Sequence, residues 1–275
     1  MALTGDGLQI TLLGTGSPSP NAARHQPAAL VEWGDGGRAL VDAGDGVVYQ
    51  ILAAGRSVAG IGTVLLTHLH WDHVLGYPGL VWGGWTQGRS ALRVVGPAGT
   101  GAMHGAVVEG FYRDQAEWAI ALGYRREGWD GIVVEDVAPG WSADLDGCRV
   151  EAGTVVHPPV PALGYRFSHG GRSLVVSGDT ARCDELVALA RGADLLVVDA
   201  CAAPPPPSAP AARAAIIGRL HAFHASPQDC VDMAAEAGVG TVVLTHHLPE
   251  VEPEFDASRF RGRVIVGRDL QTVVA

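Results

Sequence analysis

Two mixed β-sheets packed together and covered by helices, an α/β architecture, are what the sequence predicts. Three observations carry this. Short apolar runs bounded by turn residues recur along the chain. Each half pairs hairpin-connected strands with intervening helical stretches, the pattern of packed layers. No short-period repeat is present, so a solenoid is excluded.

In the first half, residues 8–13 form an apolar strand ending in Gly14-Thr15-Gly16-Ser17-Pro18. Residues 28–33 and 38–42 follow as strands, separated by the turn Gly34-Asp35-Gly36-Gly37. Residues 47–54 carry apolar side chains at helical spacing. Residues 63–66 are a short buried strand, favoured over helix by length and Val/Leu content. In the second half, residues 149–156, 164–168 and 173–177 read as strands, the last two joined at Gly170-Gly171. Residues 184–190 are helical, 195–199 a strand, 227–237 an amphipathic helix and 241–245 a strand. The proline run 204–207 is expected to be a rigid exposed loop. Residues 98–145 are the least diagnostic stretch. No linker divides the chain, so one domain over 1–275 is expected.

Bulk properties narrow the function classes. The 275 residues are 47% hydrophobic and 17% charged, enough to bury a full core. No apolar run reaches the roughly 18 residues of a membrane span. Residues 1–7 lack the basic start and apolar stretch of a secretory signal, so a cytoplasmic protein is expected. Cys148, Cys183, Cys201 and Cys230 show no C-x-x-C spacing and read as buried thiols. The net charge is −10 and every basic residue is arginine, which argues against a polyanionic substrate.

The chemistry concentrates in Thr67-His68-Leu69-His70-Trp71-Asp72-His73. A strand ending at Thr67 would point His68 and His70 to one side, with Asp72 and His73 facing the same space from the following turn. Nitrogen and carboxylate donors so arranged suit two divalent metal ions, zinc first, with manganese or iron as alternatives. Four ligands do not complete two sites. His157, Asp179 and either His246 or His247 follow other apolar strands and are candidates for the rest, with Asp179 able to bridge.

Together these residues resemble the metallo-β-lactamase superfamily, and within it the ribonuclease Z and arylsulfatase branch. Leu13-Gly14-Thr15-Gly16-Ser17-Pro18, Val41-Asp42-Ala43-Gly44-Asp45-Gly46, Gly164-Tyr165-Arg166-Phe167, Ser177-Gly178-Asp179-Thr180 and Leu244-Thr245-His246 carry the likeness, which spans residues 8–250. The resemblance implies an αββα sandwich with a two-metal site at one edge. It assigns one ion to His68, His70 and His157 and the other to Asp72, His73 and His246, with Asp179 shared. It selects His246 over His247. Asp42 would orient ligands. His224, in Phe223-His224-Ala225-Ser226-Pro227, matches the branch's histidine, and Asp199 stands where the branch commonly has Glu.

On that reading the metals lower the pKa of a bridging water and polarise the substrate, with Asp72, His224 and Asp199 as the catalytic set. His224, oriented by Asp199, would protonate the leaving oxygen or stabilise transition-state charge. Trp71, Trp82 and Trp85 either wall an apolar pocket or serve as core and lid packing. Ribonuclease Z itself holds transfer RNA with an added basic arm, and no lysine-rich insertion is present here. The expected activity is hydrolysis of a small-molecule ester, an aryl sulfate or a phosphodiester. Alternatives are a lactonase or thioesterase on the same site, a transfer-RNA 3′ endonuclease, or a non-hydrolytic accessory that binds a metabolite. The expected partner is a small molecule rather than nucleic acid or membrane, and a homodimer is compatible with this reading.

Overall fold

Runs of Val, Leu and Ile too short for stable helices form most of the strands, and alternate residues along a strand face opposite sides of its sheet. The computed structural model describes residues 5–248 and 251–275; residues 1–4 of the amino-terminal stretch read above lie outside the described residues. The strands are β1 (Leu8–Gly14), β2 (Ala28–Trp33), β3 (Gly37–Val41), β4 (Thr63–Leu65), β5 (Leu92–Gly96), β6 (Ile132–Asp136) and β7 (Ser142–Leu145). They continue as β8 (Cys148–Thr154), β9 (Leu163–His169), β10 (Arg172–Val176), β11 (Leu195–Asp199), β12 (Thr241–Thr245), β13 (Arg263–Val266) and β14 (Thr272–Val274).

Two seven-stranded sheets result, ordered β14-β1-β2-β3-β4-β5-β6 and β13-β12-β11-β10-β9-β8-β7. Each is antiparallel on one side and parallel on the other: β3 to β6 run parallel in the first, β10 to β13 in the second. Alternate residues of β2 show the layering. Ala29, Val31 and Trp33 face the core between the sheets, with Leu8, Ile10, Tyr165 and Phe167. Ala28 and Leu30 face the opposite side, under the helices α1 (Val47–Ala53), α2 (Trp71–Val74) and α3 (Tyr77–Thr86). This is the expected αββα sandwich.

The undiagnosed middle stretch, which follows β5, folds as α4 (Thr100–His104), a π-helical turn, α5 (Arg113–Ala121), α6 (Glu127–Asp130), β6 and β7. Trp82, Trp85 and Trp129 stack edge-on there, so Trp82 and Trp85 are packing residues; Trp71, beside His70, is 51% exposed. On the second sheet's outer face lie α7 (Asp184–Leu189) and α9 (Pro227–Ala237), with α8 (Ala211–Ile217) in the connection between β11 and α9. The proline run lies in that connection with Pro204 and Pro207 exposed, and all four cysteines are buried and free. Among the described residues no helix is long and apolar enough to cross a membrane.

Candidate metal centre

Every candidate ligand sits just past the carboxyl end of a strand, where sheet hydrogen bonding stops and side chains can converge. β4 ends at Leu65, two residues earlier than the sequence suggests, so His68 and His70 lie on an extended loop while Asp72 and His73 occupy α2. That loop is held from below. Asp42, past β3, accepts from the Thr67 amide at 2.7 Å, the Thr67 hydroxyl at 2.8 Å and His73 Nδ1 at 2.8 Å. Tyr165 donates to the Leu66 carbonyl at 2.9 Å. Gly178 takes a φ of 64°, and a Cβ there would come within 2.5 Å of Thr67 Cβ. Only glycine lets the β10 turn approach the histidine loop this closely.

Two donor groups emerge. His68, His70, His157 and Asp179 have donor atoms within 4.8 Å of one another, as do Asp72, His73 and His246. Asp179 divides its carboxylate between them. Its Oδ1 lies 3.2 Å from His73 Nε2 and 3.2 Å from His246 Nε2. Its Oδ2 lies 3.7 Å from His68 Nε2 and 3.8 Å from His157 Nε2. His157 Nε2 is 3.1 Å from His70 Nδ1, and His246 Nε2 is 3.3 Å from Asp72 Oδ2. Donors about 2.0–2.1 Å from a tetrahedral zinc ion stand roughly 3.3 Å apart, so this spacing fits such an ion. His68 Nε2 and Asp179 Oδ1 are buried without a hydrogen-bond partner, a costly condition that a cation would relieve. The residues present therefore fit two divalent ions.

The outer nitrogens are oriented as ligand histidines require. His73 Nδ1 meets Asp42, His157 Nδ1 meets the Phe223 carbonyl at 2.8 Å, and His68 Nδ1 is 3.1 Å from the Thr67 hydroxyl. The Phe223 contact is one that sequence reasoning missed, because a backbone carbonyl carries no residue signature. His246, at φ 60°, turns into the site, whereas His247 turns away to the Leu244 carbonyl at 3.0 Å. Burial, with Arg24 nearby, lowers His247 to about 4.

Electrostatically the bare donor set is tightly paired. Burial, followed by the His73 charge, holds His68 well below its ordinary value. Burial alone would raise Asp179, but His246, His73 and His68 keep it well below the usual carboxyl range. Burial alone would likewise lower His73, but Asp179 and Asp42 push it up to about 10.

His224 joins this centre from the residues before α9. Its Nδ1 is 2.7 Å from Asp199 Oδ2, and its ring lies 4.9 Å from that of His157. Asp199, at the end of β11, also accepts from the Thr180 amide at 3.2 Å and the Cys201 amide at 2.9 Å. Shortened by one methylene relative to Glu, the carboxylate still reaches the imidazole. Burial would lower His224, but Asp199 outweighs it and raises the value.

Comparison with known proteins agrees with this geometry. A model of the beta-lactamase superfamily domain matches residues 37–247, which contain every residue of both donor groups. The chain belongs to the metallo-β-lactamase superfamily. It is 36% identical over 283 residues to a protein named ribonuclease Z from Mycobacterium sp. (strain KMS), covering 97% of this chain and 95% of that one. This places it in the ribonuclease Z branch. Two solved structures share the superfamily fold. The human short-form tRNase Z has a TM-score of 0.71 at 22% identity, over 96% of this chain and 98% of that one. A diphosphatase from the PhnP family has a TM-score of 0.70 at 19% identity, over 98% and 97%.

Proposed function

We propose that this superfamily member is a two-metal phosphodiester hydrolase acting on a small substrate. The observation that carries the reading is Asp179 facing one donor group with each carboxylate oxygen, beside a histidine held by its own carboxylate. His68, His70 and His157 would hold one ion, Asp72, His73 and His246 the other, and Asp179 both. Two divalent ions bound there would acidify a water and polarise a phosphoryl oxygen.

The chain's own residues supply the rest. Asp199 fixes Nδ1 of His224 and leaves Nε2 for the substrate side, so the imidazolium can pass its proton to the departing oxygen. Asp42 and the Phe223 carbonyl keep His73 and His157 from rotating.

A phosphodiester is favoured over an aryl sulfate because the relatives spanning nearly the whole chain are named ribonuclease Z. The small substrate is supported by the surface. Arg113 pairs with Glu109 and Glu117, Arg126 with Glu117, Arg149 with Glu151, and Arg172 with Asp194. Each of these arginines has a carboxylate partner, which weakens its hold on an RNA backbone. The relatives' name favours one second reading, transfer-RNA 3′ processing.

A panel with zinc or manganese decides: bis-nitrophenyl phosphate, nitrophenyl sulfate, a nitrophenyl carboxylic ester, a lactone and a precursor transfer RNA. The expected result is phosphodiester turnover at least about 10²-fold above sulfate, ester and lactone, with no specific cut in the RNA. Preferential cleavage of the RNA would establish the second reading.

A further inference from the structure

Cys201 has no part in the reading above. It follows β11, is 2% exposed, and belongs with Asp199, His224 and His246 to a buried group whose donor atoms lie within 4.8 Å of one another. His246 turns Nε2 toward Asp72 and Asp179, while its Nδ1 lies 3.7 Å from Asp199 Oδ1 on the other side. That Nδ1 is buried and has no hydrogen-bond partner. A thiol, a carboxylate and two imidazoles make the donor number and chemistry of a tetrahedral site for a thiophilic ion.

We infer that Asp199, Cys201, His224 and His246 form a third cation site, inhibitory and selective for zinc, cobalt or cadmium over manganese. His246 is shared, one nitrogen serving each side. Coordination exchanges the Cys201 thiol proton and the imidazole Nδ1 protons for the cation, and those protons pass to solvent. The ion takes Asp199 away from His224 Nδ1 and so removes the leaving-group acid. The inhibition rests on the role proposed for His224; the binding rests on the donor set alone. Manganese prefers carboxylate and water to thiolate, so excess manganese leaves the site empty.

Cobalt(II) titration of the metal-free chain tests this. The first two equivalents enter sites with nitrogen and oxygen donors only and give no thiolate charge-transfer band. The third brings up a near-ultraviolet thiolate-to-cobalt band. Cys201→Ser and Cys201→Ala abolish that band, while Cys148, Cys183 and Cys230 remain as internal controls. Each protein's turnover is referred to its own rate at two equivalents. The third equivalent then lowers wild-type turnover of a poor leaving group by roughly 10²-fold, the scale of a general acid, and leaves either variant's rate in place. A band that survives both substitutions, or no band at excess cobalt, overturns the inference. Failure of the dinuclear reading shows separately, as fewer than two band-free equivalents.

Discussion

Asp179 and Asp199 each spread one carboxylate over several partners, and the centre depends on both. Asp179 Oδ1 and Oδ2 serve different donor groups, so no amide can replace it without leaving one side short. Asp199 Oδ2 holds His224 while Oδ1 takes the Cys201 amide. If His224 protonates the departing oxygen, its loss matters only where that oxygen needs a proton. His224→Ala should lower kcat by about 10²–10⁴-fold for an alkyl phosphodiester and by under about tenfold for bis-nitrophenyl phosphate. Equal losses on the two substrates would remove it from the acid role. The side chains of this centre were legible in the sequence because histidine and aspartate after apolar strands have few other uses. What was not legible is the support: the Phe223 carbonyl on His157 and the Thr67 amide on Asp42 are backbone contacts set by how strands end.

At the scale of elements, the sheets were legible wherever strands are buried on both faces, as in β1, β2 and β11, whose residues are all buried. β6 was not, because its half-exposed residues Ile132–Asp136 give neither an apolar run nor clear alternation. Glu32, on β2, shows how a polar residue is kept in such a strand. Arg56 donates to it at 2.7 and 3.0 Å and Gln9 at 3.1 Å, tying β1, β2 and the end of α1 together. Burial would raise the Glu32 carboxyl, but the Arg56 and Gln9 hydrogen bonds outweigh it and hold the group below its ordinary value. A depressed folded-state value stabilises above the unfolded pKa of about 4.3 and is lost as the pH falls through the folded value. Glu32→Gln should therefore cost about 1–3 kcal/mol in urea unfolding at pH 7, with the gap to wild type closing below about pH 4. A gap that does not change with pH would assign the loss to packing instead.

For the whole molecule, the centre lies where the two sheets meet: Asp42, Thr67 and Asp72 follow strands of one, His157, Asp179, Asp199 and His246 strands of the other. Bound cations would then cross-link the sandwich, and the folded state would gain their binding free energy. Chelation with EDTA should lower Tm by roughly 10 °C for each ion removed, the shift expected when ligand stands about 10³-fold above the Kd of its site in a chain of this size. An unchanged Tm would detach the ions from the fold. The likeness to known family members fixes the architecture in which this happens, but the claim that two ions are held depends on these side chains. Counting the metal tests it most directly. Protein prepared with manganese, which the thiol-containing third site does not take, and freed of loose ions by gel filtration should carry close to two manganese ions per chain by elemental analysis, and Asp179→Ala clearly fewer. A fully folded wild-type chain that carries none, or the same two ions in Asp179→Ala, would contradict the account.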